Sequence, residues 1–475
     1  MIEIQVAGAG AGKTYSLAEK IIGCLGTDSH KKIFALTYTN SAKEKIEFEI
    51  RRRFGAIPDR VEIETVHTFL LNEIIYPFSP FVLGSFYTTA STVPLSSDDG
   101  LKRGQIKRLK DINILHVEEV YSAARRVVDK SHSLHNTKEK KAKVDRILKI
   151  VSACMEKIFL DEAQDLDETA LRVFEVLGLK SVDIYMIGDP KQAIKFSGEF
   201  TTFIRKHEAA PGEHIKIHPP NNVTRRVPTG ILNLSNKFCY PEQVQTSVSL
   251  ETGFLKFIES THPDFEAFVN RHIEEKSLVC IEKKSGAYST KKYFRPGFDQ
   301  ELKIKLRDAS QNRDPDIFVE AAEMIFFTEA SSIGGKAAVA AFLKRYGITY
   351  TPQIYAQMMN LVTDEETAKF HISSIDAVKG LESDFCILIL TPNTYNYLAQ
   401  TGLKSGQRFN KEWKKIYVAL TRAKREFIAV LDHELFRRKD LSINDDMTHN
   451  ESACHHCNPH ADCEECREIK AEEAI

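Results

Sequence analysis

A chain of 475 residues with a formal net charge of −1, 42% hydrophobic and 28% charged residues, has the composition of a folded globular protein with room for about two to four domains. The charge balance excludes a polycation, so any nucleic-acid surface has to be local. There is no basic-then-apolar N-terminal signal, and no apolar run approaches the roughly 18 residues of a membrane span.

Charge is unevenly spread. Residues 101–150 hold 14 Lys and Arg against 6 Asp and Glu, whereas 441–475 hold 2 against 9. Cys24, Cys154, Cys239, Cys280 and Cys386 lie among apolar neighbours, as reduced core thiols do, and a cytoplasmic location is expected.

In chain order, an apolar run at 2–6 enters the small-residue loop 7–12, followed by Lys13, Thr14 and a helical pattern over 16–22. Strand, loop of Ala and Gly, then helix suits a phosphate cradle. Without bulky side chains, the backbone N–H groups of Ala9, Gly10, Ala11 and Gly12 can converge on phosphates beside a positive helix end. Lys13 would add a cation at the β/γ-phosphates of a nucleotide such as ATP, and Thr14 a hydroxyl ligand for Mg²⁺. The plain alternative is a flexible Gly/Ala turn.

A buried strand is expected at 33–39, with Asn40 capping a charged helix over 41–53, and a second strand runs into a helix over 61–70. Alternating elements of this length predict an α/β fold with a parallel sheet covered by helices. Residues 80–150 interrupt the alternation with a Ser/Thr/Gly/Pro-rich stretch and basic amphipathic helices. The sheet resumes at 157–165 and 183–194. Prolines at 211, 219 and 220 mark a linker to a second domain with strands near 278–282, 348–352, 370–375, 384–391 and 427–431.

Asp161 and Glu162 end an apolar strand, where ligands bind in open parallel sheets. Asp161 would hold Mg²⁺ and Glu162 would orient an attacking water; alone, such a pair is usually a solvated turn.

Eight segments in order carry a family resemblance: AGAGAGKT (7–14), LTYTNSAKEKI (36–46), TVHTF (65–69), LDEAQD (160–165), GDPKQAI (188–194), TRR with ILNLSN (224–236), SIDAVKGLE (374–382) and YVALTRAK (417–424). The chain resembles the UvrD/Rep-like superfamily 1A DNA helicases. The resemblance implies two RecA-like P-loop NTPase domains: 1–79 with 151–215 forming the first, a 1B-like helical insertion at 80–150, and 216–440 forming the second with the usual large 2B insertion largely absent. An acidic tail occupies 441–475.

The resemblance also implies a DNA-dependent ATPase with 3′→5′ translocase or helicase character on single-stranded DNA or DNA ends. Gln192 would sense the γ-phosphate, and Arg226 and Arg422 would act as arginine fingers. Gly380 and Glu382 would contact phosphate and ribose. Tyr38, Thr39, Asn40, Thr65, His67, Phe69 and Phe196 would touch the DNA strand, by stacking on bases and tracking phosphates; for Tyr38 and Phe69 core packing is the alternative.

Departures from the family pattern are the missing upstream glutamine segment, KFSGE after GDPKQAI, Asp376 in place of His, and the short interval between the motif at 224–236 and that at 374–382. This pruning is similar to the helicase-like subunits of bacterial Gabija anti-phage pairs, which implies an OLD-type nuclease as a partner. Finally, Cys454, Cys457, Cys463 and Cys466 form two CxxC knuckles in a polar tail and fit structural Zn²⁺, with an iron–sulfur cluster or a metal-free tail as alternatives.

Overall fold

The structure is a computed structural model describing residues 1–436 except 27–28, 97, 211, 238, 240, 284–286, 291–296, 311–313, 363–369 and 399–410. The chain divides into two units, one of residues 1–66, 148–291 and 368–475, the other of 67–147 and 292–367.

The first unit holds two parallel sheets. Strands β1 (Ile2–Ala7), β2 (Lys32–Thr37), β3 (Val61–Thr65), β4 (Met155–Leu160), β5 (Asp183–Gly188) and β6 (Ile215–Asn221) form a six-stranded sheet in the order β3-β2-β4-β5-β1-β6. Every pairing in it is parallel. Helix α1 (Lys13–Cys24) and helix α2 (Asn40–Phe54) bury Leu17, Ala18, Ile21, Ile46 and Ile50 against Ile33, Ala35, Phe159 and Tyr185 of the sheet. Near-continuous apolar strands of this kind are what burial on both faces demands. The cap of α2 is Thr39, whose hydroxyl accepts from the Ala42 amide at 3.2 Å, so Asn40 is its first helical residue and not the cap.

The second sheet comprises β7 (Phe254–Glu259), β8 (Leu278–Ile281), β9 (Ser373–Ser374), β10 (Ser383–Ile389) and β11 (Ala423–Leu431), ordered β7-β11-β10-β8-β9 and again parallel. Helix α3 (Thr229–Asn236) and helix α4 (Lys411–Leu420) pack Ile231, Trp413, Ile416 and Tyr417 onto Cys386, Leu388 and Phe427. Ala9 and Ile194 of the first half join this core, so the two sheet-bearing halves share buried apolar surface. The fold is therefore α/β, with two helix-flanked parallel sheets.

The second unit is mainly helical. Residues 300–362 form helices Gln300–Ala309, Pro315–Ile333, Gly335–Arg345 and Pro352–Val362 around Phe298, Leu302, Phe326, Phe342 and Met358. Helix Gln300–Ala309 lies against the short strand Thr89–Ser91 of the 67–147 segment, which pairs with Ile114–His116. The strand expected at 348–352 does not form. Ile348 anchors the helical core, and the Thr351 hydroxyl accepts from the Ile354 amide at the start of the last helix. The alternation of 348–352 with tyrosine and threonine looked strand-like, but a Thr-Pro pair is also a helix start. Among the described residues no helix is long and apolar enough to cross a membrane. The cysteines at 454, 457, 463 and 466 lie outside the described residues.

Candidate active site

The C-terminal edge of the first sheet meets the second half at a cavity of about 960 Å³. It is lined by Gly10, Gly12, Lys13 and Thr14 of the loop, Asp161, Glu162 and Gln192 from the strand ends, and Arg226, Gly380, Glu382, Arg422 and Lys424 from the second half. Eleven of the sequence-expected residues therefore line one cavity.

The loop owes its shape to two left-handed glycines, Gly10 at φ 71° and Gly12 at φ 78°. Gly12 sits at the N-terminus of α1 and offers no side-chain cap, leaving the helix start to whatever enters the cleft. Ala9 and Ala11 do not line the cleft. The Ala9 amide donates to the Tyr417 hydroxyl at 3.3 Å, and the Ala11 amide to the Gly8 carbonyl at 3.3 Å. Their expected phosphate contacts are corrected accordingly: Gly10, Gly12, Lys13 and Thr14 face the cavity, while Ala9 is spent on holding the loop to the second half. Gln245 adds a bond from its Nε2 to the Ala9 carbonyl at 3.1 Å, and the Arg225 amide donates to the Gly10 carbonyl at 3.0 Å.

That closeness sets a test. A Cβ on Gly10 would lie 2.3 Å from Thr224 Oγ1 and 2.8 Å from Arg226 Cβ. Gly10→Ala is expected to lower the melting temperature by about 2 °C or more and to weaken nucleotide binding about tenfold or more, read by thermal unfolding and calorimetry. Gly104→Ala, at a helical position with open space around it, serves as the control and should remain at or above the wild-type melting temperature.

Asp161 and Glu162 follow β4, and Glu162 adopts a left-handed backbone at φ 54°, rare for a residue with a side chain. The Asp161 carboxylate accepts from the Glu162 amide at 2.9 Å. Burial, reinforced by the neighbouring Glu162, pushes the Asp161 carboxyl up to about 7. Lys13 offsets only part of this, and a divalent cation held with Thr14 is the chemistry that would supply further positive charge. Burial also opposes the charge on Glu162, but Lys13, Lys379 and Arg422 outweigh it and hold the carboxyl down at about 2.

A bonded path leads from this pair across the cleft. Gln164 donates to Glu162 Oε2 at 2.5 Å and accepts from the Asp189 amide at 2.8 Å. Asp189 Oδ2 accepts from Gln192 Nε2 at 2.9 Å and from the Tyr417 hydroxyl at 3.1 Å. Gln192 Oε1 accepts from Arg422 at 3.0 Å. Lys379 pairs with Asp165 and donates to the Gln192 carbonyl.

Arg422 is fully buried, and its Nε donates to the Val418 carbonyl at 3.0 Å. Burial and the nearby Arg226 lower it to about 10, which leaves it cationic at neutral pH. Arg226 pairs with Glu382 at 3.1 Å, and Lys424 with the other Glu382 oxygen at 3.0 Å. Glu382 is thereby held down at about 2 despite its partial burial. Lys45 donates to the Gly380 carbonyl.

The sequence reading missed Gln164, Asp189, Lys379, Tyr417 and Gln245. The first four lie inside the motifs quoted above, so their signal was present; Gln245 lies in none.

The residues expected at DNA are more scattered. Tyr38 follows β2 and its hydroxyl accepts from Lys195 at 2.7 Å. Thr39 and Asn40 stand at the start of α2, Thr65 ends β3, and Phe196 is half-buried beside Lys195. His67 lies 4.8 Å from the Tyr121 ring, in the second unit. Phe69 is fully buried. It packs in the core and has no face for a base, which corrects its expected stacking role.

Residues 2–197 match the family model described as AAA domain. Gabija protein GajB of Bacillus cereus (strain VD045) is 31% identical over 190 residues, which cover 40% of this chain and 36% of that protein. The match thus spans little more than a third of the length of this curated relative. A solved complex of an arterivirus nonstructural protein 10 (helicase) with DNA superposes over 93% of this chain and 61% of its own, with 12% identity and a TM-score of 0.35. Residues 2–197 thus resemble an AAA domain, and the chain is similar to Gabija protein GajB over 190 residues.

Proposed function

We propose that the chain is a DNA-dependent ATPase with 3′→5′ single-strand translocase or helicase character, working in anti-phage defence or DNA repair. The observation that carries this reading is the bonded path from Glu162 through Gln164, Asp189 and Gln192 to Arg422, because it ties the hydrolytic carboxylate of one half to a cation of the other. In such an arrangement, closure of the cleft and the chemistry of the γ-phosphate report to each other.

Lys13 and the start of α1 bind the phosphates. Thr14 and Asp161 hold Mg²⁺, which supplies charge neutralisation at the phosphate oxygens when bound. Glu162 orients the attacking water; a low-lying carboxyl suffices, since a loose phosphoryl transition state asks for an aligned acceptor more than for a strong base. Gln192, Arg226 and Arg422 meet the transferred group. Tyr38, Thr39, Asn40, Thr65 and Phe196 are the DNA-facing residues of the first unit, and His67 that of the second.

The likeness to Gabija protein GajB favours a second reading, in which the ATPase gates a partner OLD-type nuclease and unwinds little DNA itself. Phosphate release with and without single-stranded DNA tests the motor. Stimulation of about tenfold or more is expected. Hydrolysis indifferent to DNA would remove the autonomous motor and leave the gating role.

A further inference from the structure

A second cavity, of about 210 Å³, shares no lining residue with the nucleotide cleft. Val6 and Gly8 reach it from the start of the phosphate loop, Asp189 and Lys191 from the loop that carries Gln192, and Trp413 and Lys414 from α4. Helix Glu199–Ala209 lines one side with Thr201, Arg205 and Glu208, which fall on one helical face. The volume is far beyond the roughly 10–15 Å³ that one water needs.

Lys414 is the outlier in it. It is only 3% exposed, and among the described residues it makes no hydrogen bond and no ion pair. A lysine is almost never buried this deeply without a partner. Burial, with a smaller push from Lys379, lowers its ammonium to about 8 against the pull of Asp189, which leaves it mostly charged at neutral pH. The Asp189 oxygens are already committed: Oδ1 accepts from the Lys191 amide at 3.1 Å, and Oδ2 from Gln192 and Tyr417. Lys191 is satisfied as well, donating to the Gln243 carbonyl at 2.8 Å and to Gln245 Oε1 at 3.1 Å.

Arg205 is exposed and likewise has no ion pair among the described residues, so the cavity carries two uncommitted cations, one deep and one at its edge. Together with the Thr201 hydroxyl on the same helical face as Arg205, they call for oxygen atoms bearing negative charge. The outer edge sets the size of the ligand. Glu208 and Glu242 are exposed carboxylates that also line the cavity. They repel a long run of phosphates and leave room for one compact anion that reaches Lys414.

We propose that the cavity floored by Lys414 is a binding site for a small free oxyanion, of the size and charge of inorganic phosphate, separate from the nucleotide cleft. The full chain carrying Lys13→Ala tests this, because it lacks the phosphate-loop cation and makes the outcome independent of the ATPase reading. Inorganic phosphate, titrated at constant ionic strength, should bind saturably by calorimetry. Adding Lys414→Met should weaken that binding about tenfold or more, and adding Arg205→Ala, at an exposed position, about threefold. A second readout needs no substitution in the cavity. At about ten times its Kd, phosphate should slow acetylation of Lys414 by acetic anhydride about tenfold, located by peptide mass spectrometry. A single-stranded oligonucleotide should give no such protection. Absence of saturable binding, binding unchanged by both cavity variants, or acetylation of Lys414 indifferent to phosphate overturns the site. Protection by the oligonucleotide and not by phosphate overturns the free anion and makes Lys414 a contact for a nucleic-acid backbone.

Discussion

Replacing Glu162 with Gln is expected to slow ATP hydrolysis by about 10²- to 10⁴-fold while leaving nucleotide binding within about threefold of wild type. The amide keeps the volume of the carboxylate and can still accept from Gln164, so the path to Asp189 survives. What is lost is the negative charge that Lys13, Lys379 and Arg422 together maintain. The backbone supports the same assignment. Glu162 is one of three described residues other than glycine with positive φ, with Asn113 and Lys276. A left-handed turn at the end of a buried strand costs about 1–3 kcal/mol and persists where the surroundings over-determine it. Steady-state phosphate release and ADP calorimetry on the variant are the two measurements needed. Wild-type hydrolysis by Glu162→Gln would remove the carboxylate from the reaction and return it to the role of a strand-end turn.

Much of this site was legible because its chemistry is local in sequence. Lys13 and Thr14 follow their loop directly, Asp161 and Glu162 end one strand, and Gln192 follows another. A strand that carries such residues at its C-terminal end delivers them to the same edge of a parallel sheet, whatever the rest of the chain does. The parallel sheets were legible for the same reason, through the apolar runs of β1, β2, β4 and β5.

Two kinds of information were not local. The direction of the Ala9 amide is decided by Tyr417, which packs over the loop from α4. An alanine in a phosphate-loop motif reads as a phosphate contact until its partner is known. Phe69 was ambiguous because burial, not residue type, separates a stacking platform from a core aromatic, and here burial is complete. Residues 300–362 were hard for a third reason. Their helices pack on one another and on the short strand Thr89–Ser91, so the Tyr350–Thr351 segment carries β propensity into a helix start.

Arg422→Ala is expected to lower turnover by about 10³-fold or more, a larger loss than Arg226→Ala. The difference lies in how each cation is held. Arg226 is paired with Glu382, which also holds Lys424, so its charge is shared in a partly exposed group. Arg422 is buried, bonded to Gln192 and to the Val418 and Leu381 carbonyls, and aimed by them before any nucleotide arrives. A cation pre-set in a water-poor site stabilises developing charge without reorganising.

Truncation also has a structural cost, since the orphaned carbonyls and Gln192 lose about 1–3 kcal/mol per unsatisfied group. A fall in melting temperature is therefore expected and does not by itself identify the role. The decisive comparison is between ADP alone and ADP with aluminium fluoride, a mimic of the transferred phosphoryl group. Arg422→Ala should keep the first and lose the second, and Arg422→Lys should recover little, because a single ammonium cannot reproduce the planar fork. Equal weakening of both ligands would instead make Arg422 a brace between α4 and the Gln192 loop, with the finger role passing to Arg226.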